Sequence, residues 1–179
     1  MSTPPTSDAT LSPTFQPNRP EHLIAYGFGA GLSPKAPGTM GTLVAIPIYL
    51  LLANLPGLVY LLAVAAMIGV GVWACDKVAS ELGEDDPSAI VWDEVVGFLV
   101  AMAAAPVISL AWIIMGFLLF RLFDIYKPWP VSWAENRFRG GIGIIADDLI
   151  AGAMTWVVLT VMAMIVSASL GHGVAPIAH

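Results

Sequence analysis

The sequence predicts an all-α integral membrane protein, folded as a helical bundle of about five helices. Of its 179 residues, 58% are hydrophobic and only 11% are charged, and the mean hydropathy is +0.81. This is more apolar surface than a soluble domain of this size can bury. Charge is absent from residues 43–75, 95–120 and 149–171. Each of these stretches is long enough to enter a bilayer.

Proline and glycine residues divide the uncharged stretches into helices. Pro56 and Pro106 interrupt the first two stretches, which predicts two helical hairpins that turn near these prolines. Asp86 followed by Pro87 is typical of an N-cap and a first helical position. The predicted helices are residues 39–53, 58–82, 87–105, 106–127 and 147–171.

The N-terminal segment has a different composition. Residues 1–20 contain five prolines and many Ser and Thr residues, without an apolar run. This composition is typical of a disordered tail, and it lacks the basic start and the hydrophobic centre of a secretory signal. We therefore predict a tail at 1–20, one membrane-embedded domain at 21–171 and a second tail at 172–179.

The charge and cysteine content exclude two classes of protein. The net charge is −6 and the seven basic residues form no stripe, so the chain lacks the electrostatic footprint of a nucleic-acid-binding protein. A single cysteine, Cys75, rules out a disulfide within the chain.

The few charged residues fall into clusters that the predicted hairpins bring together. These clusters are Lys35, Asp93 with Glu94, Asp124 with Lys127, and Asp147 with Asp148. Because antiparallel helices joined at Pro106 return to the same side, Asp93 and Asp124 are expected at one end of the bundle. The basic residues also lie on that side, which the positive-inside rule makes cytoplasmic.

Carboxylates that gather at one surface repel each other, so they need protonation, ion pairs or a cation. Magnesium fits best, since it binds a few carboxylates together with substrate phosphate oxygens. We expect Asp93, Asp124 and Asp148 as metal ligands. Glu94 is a further candidate ligand, and either Glu94 or Asp147 is the general base or the partner of a ligand. Alternatively, one residue of the Asp147–Asp148 pair is a capping acid in the first turn of its helix.

Residues 27–41 are rich in glycine and carry two hydroxyls and a lysine, a composition that can surround a phosphate. The candidate phosphate-binding residues are Gly29, Ser33, Lys35, Gly38, Thr39 and, from a second glycine-rich run, Arg139. Close packing of membrane loops explains such glycines equally well. Arg137 and Arg139 also suit anionic lipid headgroups.

Four ordered segments carry a family resemblance. They are residues 27–41, Ile90-Val-Trp-Asp-Glu-Val-Val-Gly97, Arg121-Leu-Phe-Asp-Ile-Tyr-Lys-Pro-Trp-Pro130 and Gly140-Gly-Ile-Gly-Ile-Ile-Ala-Asp-Asp-Leu-Ile-Ala-Gly152. From about Ile24 to Gly152 the chain resembles the bacterial phosphatidylglycerophosphatase A family. The resemblance implies a magnesium-dependent enzyme of the inner membrane, which removes the terminal phosphate of phosphatidylglycerophosphate to give phosphatidylglycerol.

The residues favour attack by water on the phosphomonoester, assisted by a metal ion, with Lys35 or Lys127 neutralising developing charge. Cys75 has Glu81 six positions later, where a cysteine phosphatase needs arginine. A covalent route through Ser33 or Thr39 remains an alternative. The rival functions are a divalent-cation transporter, which intramembrane carboxylates also suit, and a phosphatase of a related lipid phosphate.

Overall fold

The computed structural model describes residues 15–169, and within that range the chain contains helices and no strand. The helices are α1 (Pro20–Ala25), a 3₁₀ helix (Gly27–Leu32), α2 (Pro37–Leu52), α3 (Gly57–Leu82), α4 (Trp92–Met102), α5 (Leu110–Tyr126), α6 (Val131–Arg137) and α7 (Gly140–Ser169). The all-α prediction is thus confirmed for the described residues. The five longer helices correspond to the five predicted ones, whereas α1, α6 and the 3₁₀ helix were not predicted.

Most of the predicted terminal tails lie outside the described residues. Of the segment 1–20, the structure describes only residues 15–20, and none of the segment 172–179 is described. Phe15 packs against the hydrophobic core, and Arg19 forms ion pairs with Glu21 and Glu81. The last residues before α1 therefore contact the bundle.

Helix α4 is the centre of the bundle. It contacts α2, α3, α5 and α7, and nine of its 11 residues are buried. At 1.5 Å per residue it is about 16 Å long, too short to cross a hydrocarbon core of about 30 Å. The helix is therefore shorter than the one predicted at residues 87–105, whose length would cross or nearly cross the core. Its apolar residues face neighbouring helices instead.

The chain reverses direction near Pro56 and near Pro106, as predicted. Helix α2 runs parallel to α4, since Gly38 lies against Glu94 at one end and the Tyr49 ring contacts Phe98 further along. Helix α3 runs the other way, with the Tyr60 hydroxyl donating a hydrogen bond to the Leu99 carbonyl over 2.6 Å. Helix α5 is also antiparallel to α4, since Gly116 lies against Met102 and Arg121 lies near Glu94.

Helix α4 begins five residues later than predicted, at Trp92. The preceding segment packs against the N-terminal helices: the Val91 N–H donates to the Ala25 carbonyl over 2.9 Å, and a Cβ on Gly31 would lie 1.9 Å from the Ala89 oxygen. These tertiary contacts hold residues 87–91 out of a helix. Asp93 and Glu94 consequently occupy the first turn of α4.

Helix α7 begins seven residues earlier than predicted, at Gly140. Asp76 of α3 supplies the reason, because its Oδ1 accepts a hydrogen bond from the Gly141 N–H over 2.9 Å and so satisfies one of the free N–H groups at the helix start. Asp147 and Asp148 therefore lie about two turns inside α7. The first turn contains no acidic residue, so the alternative of a capping acid is wrong.

Two glycines let α4 and α7 approach each other closely. A Cβ on Gly152 would lie 2.3 Å from the Gly97 carbonyl oxygen, and a Cβ on Gly97 would lie 2.7 Å from the Asp148 carbonyl oxygen. Any side chain at either position would separate the two backbones. This contact sets Asp148 beside the first half of α4.

Candidate active site

Three carboxylates converge at the end of the bundle where α4 begins. One oxygen each from Asp93, Glu94 and Asp148 lies within 4.8 Å of the other two. Asp93 and Glu94 come from the first turn of α4, where the helix dipole favours negative charge. Asp148 is contributed by α7. We refer to these three residues as the carboxylate cluster.

The carboxylate cluster is buried and incompletely paired. Asp93 is 9% exposed and Asp148 only 2% exposed. Among the described residues, Asp93 Oδ1, Glu94 Oε2 and Asp148 Oδ2 are buried without a hydrogen-bond partner. Buried carboxylates of like charge are destabilising unless a cation or protons compensate them. The arrangement therefore favours a bound cation.

Arg121 and Asp124 of α5 adjoin the carboxylate cluster. Arg121 Nη1 lies 2.6 Å from Asp124 Oδ2 and 3.6 Å from Glu94 Oε1. Asp124 thus lies beside the three converging oxygens rather than among them.

Sequence reasoning did not single out Arg121 as a site residue. Two signals were available in the sequence. Arg121 follows a long uncharged stretch, and it precedes Asp124 by three residues, a spacing that places both side chains on one face of a helix.

Lys127 and Asp147 form a separate ion pair at the edge of the site. Lys127 Nζ donates to Asp147 Oδ2 over 2.9 Å and to Glu135 Oε1 over 2.6 Å. Burial lowers the pKa of Lys127, but the two carboxylate acceptors together raise it by more than burial lowers it. The pKa of Lys127 therefore lies above its usual value. Lys127 is therefore held as a cation, and Asp147 is already paired.

The first turn of α2 meets the carboxylate cluster. Gly38 leaves no room for a side chain, because a Cβ there would lie 2.0 Å from Glu94 Oε1 and 3.1 Å from Arg121 Nη1. Thr39 follows Gly38 in the same turn. Of the predicted phosphate-binding residues, Gly38 thus lies directly against the carboxylate cluster.

Three other predicted phosphate-binding residues, Gly29, Ser33 and Lys35, lie before the start of α2. Lys35 is exposed, and its carbonyl accepts a hydrogen bond from the Ser33 hydroxyl over 2.9 Å. Gly29 sits in the 3₁₀ helix with φ of 98°, a backbone conformation that glycine adopts without strain.

Arg139 precedes α7 and lines two cavities. One has a volume of about 350 Å³ and includes Asp86, Glu135 and Asp147. The other, of about 690 Å³, lies between α3 and α7 and includes Trp73. Neither lining includes a residue of the carboxylate cluster.

Comparisons with known proteins agree on one family. The family model described as phosphatidylglycerophosphatase A matches residues 23–163. The phosphatidylglycerophosphatase A of Escherichia coli K12 is 44% identical over 138 residues, covering 77% of this chain and 80% of the relative. The phosphatidylglycerophosphatase A of Haemophilus influenzae is 39% identical over 141 residues, covering 78% and 86%.

A third relative carries a different description. A protein of Bacteroides thetaiotaomicron, described as a candidate phosphatidylinositol-3-phosphatase, is 42% identical over 147 residues, covering 78% of this chain and 91% of the relative. No solved structure matches the chain.

Proposed function

Because the chain belongs to the phosphatidylglycerophosphatase A family, we propose that it hydrolyses phosphatidylglycerophosphate at the carboxylate cluster of Asp93, Glu94 and Asp148. The reaction breaks the terminal phosphomonoester and gives phosphatidylglycerol and phosphate. One observation supports this site above others: three carboxylates lie with one oxygen each within 4.8 Å of the other two, and each has a buried oxygen without a hydrogen-bond partner among the described residues. Family membership favours this enzyme over a cation transporter that uses the same carboxylates.

The carboxylate cluster suits Mg²⁺. Ligand oxygens about 2.0–2.1 Å from an octahedral ion are about 2.9 Å apart when adjacent and about 4.1 Å apart when opposite. The three oxygens already lie within 4.8 Å of one another, so small side-chain movements complete such a site. When bound, the ion would activate a water molecule and polarise a phosphoryl oxygen.

The surrounding contacts favour a different role for each acid. We assign Asp93 and Asp148 to holding the metal, with Glu94 beside them to accept a proton from the attacking water. Asp147 is less suited to that step, because its Oδ2 is 2.9 Å from the Lys127 ammonium. Asp124 Oδ2 lies 2.6 Å from Arg121 Nη1 and so holds the guanidinium beside the cluster.

The start of α2 is the proposed phosphate site. The first N–H groups of an α-helix have no acceptor within the helix, and together with the helix dipole they attract anions. In α2 this turn contains Gly38 and Thr39, and Gly38 lies directly against Glu94. A phosphate bound there would lie beside the carboxylate cluster. Lys35 and Ser33, in the turn before α2, are proposed to contact it from outside.

We also place the protein in the bacterial inner membrane, with the carboxylate cluster on the cytoplasmic side. Helices α3 and α7 are long and apolar enough to cross a bilayer, and only 28% and 22% of their most apolar windows are buried inside the bundle. The core helices of a soluble protein would be mostly buried. The outward apolar faces of α3 and α7 therefore suit contact with lipid.

Phosphate release by purified protein in detergent tests the function. We expect release from phosphatidylglycerophosphate that requires Mg²⁺ and is lost in Asp93→Asn and Asp148→Asn. Asp85→Asn, which neutralises an exposed acid, is the matched control and should keep wild-type activity. Folded wild-type protein that releases no phosphate with Mg²⁺ present would refute the proposal.

The same assay decides the substrate. Because one relative is described as acting on a phosphoinositide, phosphatidylinositol 3-phosphate should be compared at matched surface concentration. We expect a higher kcat/KM for phosphatidylglycerophosphate. The reverse ratio would move the proposed activity to the phosphoinositide.

Cysteine labelling tests the orientation, since the chain's single cysteine, Cys75, is buried and gives little background. Asn54 and Asn136 are exposed near opposite ends of the bundle. An impermeant maleimide should label Asn54→Cys in intact spheroplasts and Asn136→Cys only after lysis. The opposite pattern would invert the proposed orientation.

A further inference from the structure

Arg121 has contacts that a purely structural ion pair does not explain. Its ion pairs with Glu94 and Asp124 both use the same nitrogen, Nη1, and neither has hydrogen-bond geometry, since Nη1 is a buried donor without a hydrogen-bond partner among the described residues. A guanidinium carries five N–H donors in a planar fork. The edge that contains Nε is therefore available for another acceptor.

Two buried donors of the Arg121 guanidinium, Nε and Nη1, lack a hydrogen-bond partner among the described residues, although the side chain is only 15% exposed. Buried donors in native proteins are nearly always satisfied by protein, water or a ligand. An arginine edge of this kind matches the oxygens of a phosphate, which it can bind through two parallel hydrogen bonds.

The net charge of the site also favours a role for the Arg121 guanidinium in binding the substrate. Asp93, Glu94, Asp124, Asp148 and Arg121 together have a formal charge of −3 when all are ionised. A phosphomonoester brings about −1.5 to −2 more at neutral pH. One divalent cation leaves the site negative, so the substrate needs a positive group of the protein close to its phosphate.

Arg121 lies where such a phosphate would be bound. Its Nη1 is 3.1 Å from the position of a Cβ on Gly38, and Gly38 belongs to the first turn of α2. The guanidinium and the first N–H groups of α2 thus border the same space next to Glu94.

From these contacts we infer that Arg121 is a substrate-binding residue, whose free edge holds the phosphoryl group while Asp124 and Glu94 fix its orientation. This inference rests on the proposed phosphatase function. It assigns the positive group of the site to Arg121 of α5, whereas the sequence pointed to Lys35, Lys127 and Arg139.

The test separates phosphate binding from support of the acids. Arg121→Lys keeps the charge and can still pair with Asp124, but it cannot form the two-bond contact. We expect kcat/KM to fall by about 10²-fold or more, which is typical when one donor to a developing charge is lost. The inhibition constant of inorganic phosphate should rise at least 10-fold, while the Mg²⁺ concentration for half-maximal activity should change less than 2-fold. Arg137→Lys, at an exposed arginine of α6, is the control.

The opposite pattern would overturn the inference. If Arg121 only positions the acids, Arg121→Lys will raise the Mg²⁺ concentration needed for half-maximal activity and leave the inhibition constant of phosphate unchanged. Rescue gives a further measure, because about 50 mM guanidinium ion should restore at least 10-fold of the activity lost in Arg121→Ala if the fork itself contacts phosphate. Absence of rescue in a folded variant would count against direct contact.

A binding measurement keeps this inference distinct from the proposed function. In the presence of Mg²⁺, inorganic phosphate should raise the melting temperature of the wild type and not that of Arg121→Lys. If the wild type hydrolyses no lipid but shows this difference, the proposed function fails and the role of Arg121 stands. An equal rise in both proteins, or none in the wild type, would refute the role of Arg121.

Discussion

Gly38 provides a direct test of the site geometry, because replacing it with alanine should move Glu94 without unfolding the protein. The new Cβ would lie 2.0 Å from Glu94 Oε1, whereas an ordinary van der Waals contact begins at 3.4 Å. The carboxylate must therefore move by about 1.4 Å. A misplacement of about 1 Å in an active site can cost about 10²-fold in rate. We expect kcat/KM to fall by roughly that factor or more.

The stability of Gly38→Ala should not fall in parallel. The obstructed atoms belong to the far ends of two flexible side chains, chiefly Glu94 and, at 3.1 Å, Arg121, and both can move away at little cost. Alanine also favours a helix over glycine by about 1 kcal/mol. The backbone N–H of residue 38 is retained, so the effect should come from Glu94 and not from loss of that N–H group.

The assay is Mg²⁺-dependent phosphate release, combined with thermal unfolding in the same detergent. Gly69→Ala is the matched control, because Gly69 lies in α3 with nothing within 4 Å of its added Cβ, and it should retain wild-type kcat/KM. Wild-type activity in Gly38→Ala would refute the placement of Glu94 against α2. A large fall in melting temperature would instead contradict the proposed flexibility of the displaced group.

Three further predictions concern the acids and the packing that positions them. In EDTA, Asp148→Asn should raise the melting temperature, because it removes a buried like charge; a lower melting temperature would contradict unfavourable repulsion at the cluster. Gly152→Ala should lower the melting temperature by several degrees, since its Cβ would lie 2.3 Å from the Gly97 carbonyl oxygen and overpacking costs about 1–3 kcal/mol. An unchanged melting temperature would contradict the close approach of α4 and α7. Glu21 has a pKa lowered to about 2 by hydrogen bonds from Lys77 and Arg19, so its contribution to stability is complete above about pH 4.5 and disappears toward pH 2. The difference in melting temperature between wild type and Glu21→Gln should therefore shrink between pH 5 and pH 3, and a constant difference would exclude this pairing as its cause.

The sequence predicts helices best where the signals are local. Both ends of α3 lie within one residue of their predicted positions, because Pro56 precedes its first residue and Gly83 ends it with φ of 69°. The reversals near the two prolines follow from the same kind of signal. A proline or glycine limits the backbone wherever the rest of the chain lies.

The starts of α4 and α7 were beyond such reasoning, because residues far away in sequence determine them. Asp76 satisfies the N–H group of Gly141 across 65 positions of sequence. Val91 is held outside α4 by a hydrogen bond to Ala25. Asp86 and Pro87 form a typical local signal for the start of a helix. In the folded protein, however, the backbone that follows them hydrogen-bonds with residues distant in the sequence, such as Ala25.

These two shifts exchange the environments of the acidic pairs without separating them. Asp93 and Glu94 move from the predicted interior of a helix to its first turn, and Asp147 and Asp148 move from a first turn to the interior. Sequence clustering predicted that Asp93, Glu94 and Asp148 lie near one another, since that depends on helix direction, but it grouped Asp124 and Asp147 with them. It did not identify which acid is paired, since that depends on the neighbouring lysine and arginine side chains.

The position of α4 explains how a bundle with so little charge can keep three acids together. Asp93 and Glu94 are fixed by the backbone of a short helix that is enclosed on most sides, and the contact of Gly97 with α7 fixes the backbone of Asp148. Backbone packing thus fixes the positions from which the three acidic side chains extend, which favours a preorganised metal site. Because helix packing keeps all three side chains at the same end of the bundle, their carboxylates stay near one another when no cation is bound, and their repulsion lowers the stability of the metal-free protein. Binding of Mg²⁺ to this cluster would then be linked to folding, and the protein would be most stable in the state that is ready for catalysis.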